Sequence, residues 1–428
     1  MLGLWHLGTV TACCLASAGH DVIGLDVDAP VVEALTAGRP PISEPGLAEL
    51  LQSELTTGRL RFTTVAAEAL RDADVVWVAY DTPVDDDDRA DVAYVIDRVA
   101  GVFPHLHDGT LVLMSSQVPV GTTRRLEQQF ASQSSGRVVG FGYSPENLRL
   151  GKAIEAFCHP ERVVAGVRSL ADRDKVAALL GPFDSRIEWM SVESAEMTKH
   201  ALNAFLATSV SFINEVAVLC EHVGADAAEV ERGLKSEARI GPKAYLSPGG
   251  AFAGGTLARD VVFLAGLGRE RRVATHLLSS VKASNDAHRQ WAQQRLEQLL
   301  DGVSGKTVAV WGLTYKPGTD TLRRSASVEL CEWLADRGAI VRAHDPAITA
   351  LPEDVARRVQ LADSALAAID RASALVISTT WPQFQTVAAA DVAARMMRPL
   401  VLDANRFASS SLGNDPRVQY VSVGRSIT

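Results

Sequence analysis

Lys199 and Asn203 stand four residues apart in the run ESAEMTKHALNAFLATSVSFINEVAVLCEHVG. Apolar residues recur there at three- and four-residue steps, which predicts one long helix that Gly224 stops. On that helix the two side chains project from one face, a turn apart. An ammonium on so apolar a helix needs a partner or a depressed pKa. Directly beyond lies SEARIGPKAYLSPGGAFAGGTLARD, in which five glycines and several cationic side chains surround Thr256. The glycines let backbone approach a ligand closely, and the cations suit a phosphate. A long helix alone does no more than fill a core. Helix and loop as sequence neighbours read as an active site.

Other reactive side chains divide into candidates and bystanders. Glu146 follows a Ser-Pro that fixes an extended turn, a place for a positioned general base, although a surface loop carboxylate would look the same. Cys158 and His159 have no second ligand pair at metal spacing, so no metal site is expected. The acidic run at 85–88 reads as a solvated loop, because four consecutive acids cannot all face one ion. Lys316, Arg323 and Arg324, in LTYKPGTDTLRRS, suit an anionic ligand.

The elements that must position these residues alternate between strand and helix. The first unit has the outline of a βαβ motif, with a helix at 9–18 and a strand at 20–25 that ends in Asp26. In a dinucleotide-binding fold such an acid accepts hydrogen bonds from the adenosine ribose, about 20 residues past the glycines. Gly3 and Gly8 fit the outer positions of the glycine fingerprint, but Trp5 stands at the middle one, where glycine lets backbone touch the pyrophosphate. Only Met1 and Leu2 precede Gly3, whereas a central strand wants about five residues. Strands at 75–80, 110–116 and 137–141 alternate with helices at 31–35, 46–55 and 92–102, which implies a doubly wound parallel sheet. Ligands in such sheets sit at the carboxyl ends of strands, where Thr82, Pro83, Ser116 and Gln117 fall. Residues 261–300 read as helical and charged. A second βαβ follows, with a strand at 308–313, a helix at 325–336 and a strand at 340–343. Later strands in ALVISTTWPQF and PLVLDANRF complete a smaller α/β domain.

The chain has 428 residues, 47 % of them hydrophobic and 22 % charged, which is an ordinary globular composition for two or three domains. A net charge of −9 argues against nucleic acid as the main partner. Five cysteines form no CxxC pair and lie mostly in apolar runs, as reduced packing residues of a cytoplasmic protein do. No apolar run reads as membrane-spanning, and no basic segment precedes an apolar stretch at the N-terminus. The expectation is a cytoplasmic protein with no membrane partner.

Five blocks in this order resemble the UDP-glucose/GDP-mannose dehydrogenase family of nucleotide-sugar 6-dehydrogenases, over essentially the whole chain. They are SPENLRLGKAIEAFCHPERVVAG, AEMTKHALNAFLATSVSFINE, the PGGAFAGG loop ending in RD, GLTYKPGTDTLRRS and VLDANRF. The resemblance implies an α/β chain of two Rossmann-like doubly wound parallel-sheet domains joined by a long central helix. Its expected boundaries are 1–190 for an NAD-binding domain, 191–304 for the central helical part and 305–428 for a nucleotide-sugar domain. It implies NAD as cofactor, held by Gly3, Gly8, Asp26, Thr82 and Ser116, a UDP-sugar as substrate, and a homodimer through the central helix. Carried over residue by residue, Lys199 and Asn203 would stabilise an oxyanion and position a water, Asp260 would be the acid/base partner, and Glu146 would serve the hydrolytic half. Arg239, Tyr245 and Gly254 resemble sugar- and phosphate-contacting residues, with Arg239 reaching across a dimer. Lys316 and Arg323 resemble the nucleotide contacts.

The resemblance breaks at the position of the family's catalytic cysteine, four residues before the loop aspartate, which here is Thr256. Arg259 replaces the neighbouring lysine, and Gln117 replaces a threonine. A thiol is readily deprotonated and attacks an aldehyde, whereas a threonine hydroxyl needs a base held against it. Two readings follow. One is an NAD-dependent oxidation of the C6 hydroxyl of a UDP-sugar that stops at the aldehyde or oxidises its hydrate directly. The other is a catalytically inactive nucleotide-sugar-binding or regulatory homologue. A small-hydroxyacid dehydrogenase, a third possibility, would not need the second Rossmann-like domain.

Overall fold

The computed structural model describes residues 1–83, 85, 90–134, 136–146, 148, 150–183 and 186–426. Of the acidic run at 85–88, Asp86, Asp87 and Asp88 lie outside the described residues, and Asp85 is exposed. The chain divides into two compact units, Met1–Leu202 and Asn203–Thr428. The division falls inside the long helix, Val192–Val223.

In the first unit the strands are β1 (Val22–Leu25), β2 (Leu60–Thr63), β3 (Val75–Val78), β4 (Leu111–Met114), β5 (Gly140–Tyr143), β6 (Val163–Gly166) and β7 (Ile187–Met190). The pair β1–β2 and the run β3-β4-β5-β6-β7 are united through Leu2, which bridges in parallel to both Leu25 and Val78. Leu2 donates to Trp77 O and accepts from Ala79 N, each at 2.8 Å, and Leu25 N donates to Met1 O at 2.7 Å. The two residues ahead of Gly3 therefore hold the central strand position that the sequence left nearly empty. Counting Leu2 as the first strand, the order β2-β1-Leu2-β3-β4-β5 is the 3-2-1-4-5-6 order of a dinucleotide-binding sheet. One joint departs from the all-parallel expectation, since β5 and β6 pair antiparallel at Tyr143 and Gly166.

The second unit holds the rest of the long helix, the helices Ala227–Ser236, Thr256–Glu270, His276–His288 and Trp291–Leu300, and a six-stranded sheet. Its strands are β8 (Thr307–Trp311), β9 (Ile340–His344), β10 (Val359–Leu361), β11 (Ala374–Ile377), β12 (Leu400–Leu402) and β13 (Gln419–Val421). They run β10-β9-β8-β11-β12-β13, all parallel, which is the same 3-2-1-4-5-6 order complete. Central strands such as β4 (LVLM) and β11 (ALVI) are buried at every residue, as parallel strands covered on both faces must be. The charged stretch at 261–300 resolves into parts of three helices. Thr256 to Asp260 open a helix and do not close a loop.

By length and composition the helix Val192–Val223 passes for a membrane span, with a mean hydropathy of 1.5 over its most apolar stretch. This corrects the expectation that no run is long enough. The core helix of a soluble protein passes the same test, and Glu196, Lys199, His200, Asn203 and Asn214 of this one are hydrogen-bonded within the protein.

Both sheets make their first turn in one way. Gly3 has φ +91°, and a Cβ on it would stand 2.8 Å from Cδ1 of Tyr80, two residues past β3. Gly312 has φ +88°, and a Cβ there would stand 2.4 Å from the Cβ of Thr379, two residues past β11. Each glycine thus brings the loop after the first strand against the end of the fourth, the switch point where such sheets hold ligands. Gly302 also has a positive φ, +83°, but nothing lies within 4 Å of its absent Cβ. Gly302→Ala should therefore cost only left-handed strain, ~1–2 kcal/mol, and Gly312→Ala a further ~1–3 kcal/mol from overpacking. Denaturant melts of the two variants check this, and equal losses would contradict the steric account.

Candidate active site

The first turns of the long helix carry Glu196, Lys199 and His200 at three- and four-residue spacing, so all three leave one face. Glu196 is fully buried and accepts from Gly121 N (2.6 Å), Thr123 N (3.0 Å) and Thr123 Oγ1 (2.7 Å). It thereby caps the helix Thr122–Gln133. His200, also buried, places Nε2 2.9 Å from Val118 O. A carbonyl only accepts, so this nitrogen carries the proton. Between them Lys199 donates from Nζ to Glu146 O at 2.6 Å. The expected partner for the lysine is therefore the main chain of the segment that follows Ser-Pro. Lys199 and Glu146 stood out in the sequence while Glu196 and His200 did not, although helical spacing marks Glu196 and His200 as it marks Lys199.

The cofactor candidates surround the first switch point. Gly3 makes the tight turn, and a Cβ on Gly8 would stand 1.8 Å from Gly3 O, so the helix His6–Ser17 packs directly on that turn. These are the roles of the first and third fingerprint glycines. Asp26, past the end of β1, accepts from Leu4 N (2.8 Å) and Asp28 N (3.2 Å) and is half-buried. Its counterpart past β9 is Asp345, which accepts from Leu313 N, Thr314 N, Thr314 Oγ1, Trp381 Nε1 and Ala347 N at 2.7–3.1 Å. Asp345 is saturated by the protein and buried, whereas Asp26 keeps acceptor capacity for a ribose hydroxyl. Thr82 donates to Gln117 O at 2.8 Å, tying the ends of β3 and β4 together. The hydroxyl of Ser116 is fully buried with no hydrogen-bond partner among the described residues, which marks a place for a ligand's polar group. The set fits a dinucleotide at every position but one. Trp5 caps the helix His6–Ser17 where the middle glycine would stand, and it is 50 % exposed.

In the second unit the side chain of Asn203 donates to Asp260 Oδ2 at 2.5 Å, both residues being buried. Thr256 is the first residue of the helix Thr256–Glu270, one turn before Asp260 and exposed, and its hydroxyl makes no hydrogen bond to another described residue. The glycine loop leading to it is held by side chains from distant elements. Asn214 accepts from Gly249 N (3.0 Å) and donates to Gly250 O (3.4 Å), and Asn405 accepts from Gly250 N (2.8 Å). Asn285 both accepts from Phe252 N and donates to Phe252 O, at 2.9 Å each. His288 meets Gly249 O at 2.8 Å through Nε2, and burial pushes its pKa below the ordinary histidine value, so the ring is a neutral donor. None of these four was predicted. Asn405 lay in the quoted block VLDANRF, while Asn285 and His288 carried no local signal.

The substrate-side candidates are dispersed. Arg239 is exposed and pairs with Glu237 at 3.0 Å, and Tyr245 is exposed. Gly254 O accepts from the Tyr315 hydroxyl at 3.4 Å. Lys316 is half-buried and Arg323 exposed. A cleft of about 720 Å³ at the second switch point is lined by Ser325, Ser327, Ser378, Thr379, Asn405 and His288 among others, and neither Lys316 nor Arg323 lines it. Hydroxyls cluster there, with Ser327 donating to Ser378 Oγ at 2.7 Å.

Comparison with known proteins follows this geometry segment by segment. Models of the UDP-glucose/GDP-mannose dehydrogenase family match the chain with the NAD binding domain at residues 1–184, the central domain at 193–287 and the UDP binding domain at 309–410. The UDP-glucose 6-dehydrogenase of Pseudomonas aeruginosa is 35 % identical over 439 residues, covering 99 % of this chain and 97 % of its own. UDP-glucose 6-dehydrogenase TuaD of Bacillus subtilis is 32 % identical, over 99 % of this chain and 92 % of its own. Among solved structures, a UDP-glucose dehydrogenase from the hyperthermophilic archaeon Pyrobaculum islandicum superposes with a TM-score of 0.86 at 32 % identity, over 99 % of this chain and 97 % of that one. The α/β architecture with Rossmann-like domains and a long central helix is that of these proteins, and NAD is the cofactor.

The frame around the glycine loop is open to direct test. Asn285→Ala leaves a donor and an acceptor of Phe252 without partners, at a cost of ~1–3 kcal/mol. Hydrogen exchange at the Phe252 amide should quicken by more than tenfold while amides of β8 keep their protection. Unchanged exchange at Phe252 would mean that the loop is held by something else.

Proposed function

The chain belongs to the UDP-glucose/GDP-mannose dehydrogenase family, and from that footing we propose that it oxidises the C6 hydroxyl of a UDP-sugar and stops at the aldehyde. NAD, when bound by Gly3, Gly8, Asp26, Thr82 and Ser116, supplies the hydride acceptor. Lys199 presents an ammonium whose position is set by Glu146 O, and a fixed cation beside a forming alkoxide contributes several kcal/mol of stabilisation. Asp260 accepts the C6 proton, its carboxylate oriented by the Asn203 amide. Lys316 and Arg323 meet the nucleotide, while Gly254, Tyr245 and Arg239 meet sugar and phosphate, with Arg239 serving a partner copy. The observation that carries this reading is the buried Asn203–Asp260 hydrogen bond, which sets a carboxylate one turn from the end of the glycine loop.

The stop at the aldehyde rests on Thr256. The start of a helix lowers a thiol's pKa and turns a cysteine into a nucleophile. It does nothing comparable for an alcohol, which needs a base against it. The covalent route to the carboxylate is therefore closed. The second reading, a nucleotide-sugar-binding protein without catalysis, is favoured by Trp5, which stands where backbone should meet the pyrophosphate.

A homodimer is the proposed assembly, in a cytoplasmic protein. Phe205, Phe212, Leu219 and Val223 are all exposed and follow one another by seven, seven and four residues along the long helix, which puts them on one face. Phe212→Glu should halve the mass measured by light scattering, and a dimer that survives it would move the interface elsewhere.

Purified protein given UDP-glucose and NAD⁺ should form one NADH per sugar with a 6-aldehyde product by mass spectrometry. Thr256→Cys should raise this to two NADH and a carboxylate. A carboxylate from the unmodified chain would overturn the stop at the aldehyde. Binding of UDP-glucose by calorimetry with no NADH from either protein would establish the second reading.

A further inference from the structure

Asn405 reaches the glycine loop from the turn after β12, and the residue next to it has no part in the proposed chemistry. Asn405 Oδ1 accepts from Gly250 N at 2.8 Å, and a Cβ on Gly249 would stand 2.5 Å from the same oxygen, so the side chain lies directly on the loop. Arg406, which follows, has φ +55°, a left-handed backbone that only glycine adopts without cost. Its guanidinium is spread between two anchors. Nη1 pairs with Asp226 Oδ1 at 2.7 Å and Nη2 donates to Val423 O at 3.1 Å, while Nε is buried with no partner among the described residues. Both anchors are fixed in turn. Asp226 Oδ1 also accepts from Ala228 N at 2.8 Å, as the cap of the helix Ala227–Ser236. Val423 precedes Gly424, whose N donates to the buried Glu221 of the long helix at 2.8 Å and whose O accepts from Ala227 N at 2.9 Å.

We propose that Arg406 is a positioning residue for the glycine loop, acting through Asn405. A glycine would make this turn without strain and leave no buried donor unmatched, so local stability does not account for an arginine here. Its two contacts do. They tie the turn that carries Asn405 to the start of the helix Ala227–Ser236 and to the segment that follows β13. Both of these are joined to the end of the long helix, the first by the chain itself and the second through Glu221. The far end of that helix thus fixes Gly250 through Arg406 and Asn405 in series, beside the direct hold that Asn214 has on Gly249 and Gly250. Arginine suits the task, because its planar fork meets a carboxylate and a carbonyl at once where a lysine would meet one. The consequence for ligand binding rests on the proposed function, in which this loop meets the UDP-sugar. A loop released at Gly250 has to be ordered when the sugar binds, and affinity falls by that amount.

Hydrogen exchange at the Gly250 amide and calorimetry with UDP-glucose, both on the full chain, test this. Arg406→Gly removes the guanidinium and the backbone strain together, so the melting temperature should change little. Exchange at Gly250 should quicken about five- to tenfold, as for the loss of one hydrogen bond, and the Kd for UDP-glucose should rise by a similar factor. Arg406→Lys, which keeps one anchor, should fall between this variant and the wild type. Asp226→Asn keeps an equally good helix cap and loses the charge pair, so it should quicken Gly250 exchange even if the glycine variant does not fold. Asn405→Ala should move both readouts, and adding Arg406→Gly to it should move them no further, because the two residues act in series. An arginine that only stabilises the fold would lower the melting temperature and leave Gly250 exchange at the wild-type rate. That result, or additive effects in the double variant, would overturn the proposal. A wild type that binds no UDP-glucose would contradict the proposed function alone, and Gly250 exchange would still decide the role of Arg406.

Discussion

Every polar side chain on the inner face of the long helix has to find a partner, because the helix around it is too apolar to leave a charge or an amide unmatched. Glu196 closes the start of the helix Thr122–Gln133, His200 fixes Val118, and Lys199 fixes Glu146. Farther along, Asn203 fixes Asp260 and Asn214 fixes the glycine loop. Each contact satisfies a polar group of the helix and also places a segment of the chain. Within each unit, the part of this apolar helix that belongs to it sets the positions of nearby loops. Stability and positioning are here one requirement, since a lost partner leaves a buried polar group and a displaced loop together.

The two sheets show how one backbone plan yields two ligand sites. Each turns after its first strand on a glycine of positive φ, and each follows its second strand with an aspartate whose carboxylate gathers the loop's amides. The difference lies in what that carboxylate has left to give. Asp345 takes donors from Leu313, Thr314, Ala347 and Trp381 and is closed to ligands, whereas Asp26 holds two backbone donors and stays half-buried. The same position keeps acceptor capacity in one unit and is a structural clamp in the other. The second switch point is furnished instead with serine and threonine hydroxyls, which suits a ligand other than a dinucleotide.

What the sequence made legible followed the range of the interactions involved. Lys199 and Asn203 stood out because helical spacing is local, and Gly3, Gly8 and Asp26 because the fingerprint is local too. The strands β2, β6, β7, β10 and β13 were passed over, being three or four residues long, too short for a period to stand out. The frame of the glycine loop was invisible for a different reason. Asn285, His288 and Asn405 lie between 33 and 155 residues from the backbone groups they hold, and a single asparagine in a helix announces nothing. Thr256 and Asp260 were read as loop residues because the preceding glycines suggested continued coil, while the helix Thr256–Glu270 begins at the threonine itself.

That helix start gives the identity of its first residue, Thr256, a physical meaning. The uncompensated amides at a helix N-terminus favour a negative charge within the first turn. A thiol converts the field into nucleophilicity because its anion lies within reach of neutral pH. An alcohol gains from it only as a hydrogen-bond acceptor. Asp260, one turn on, is the nearest base by sequence, but it already holds the Asn203 amide in a buried pair. On the proposed reading, a threonine there closes the covalent route, while Lys199 and Asn203 keep their hydrogen-bond partners. In the proposed reaction the first oxidation needs a fixed cation, a carboxylate and a hydride acceptor. The second, by the thioester route, needs an anion that threonine does not form.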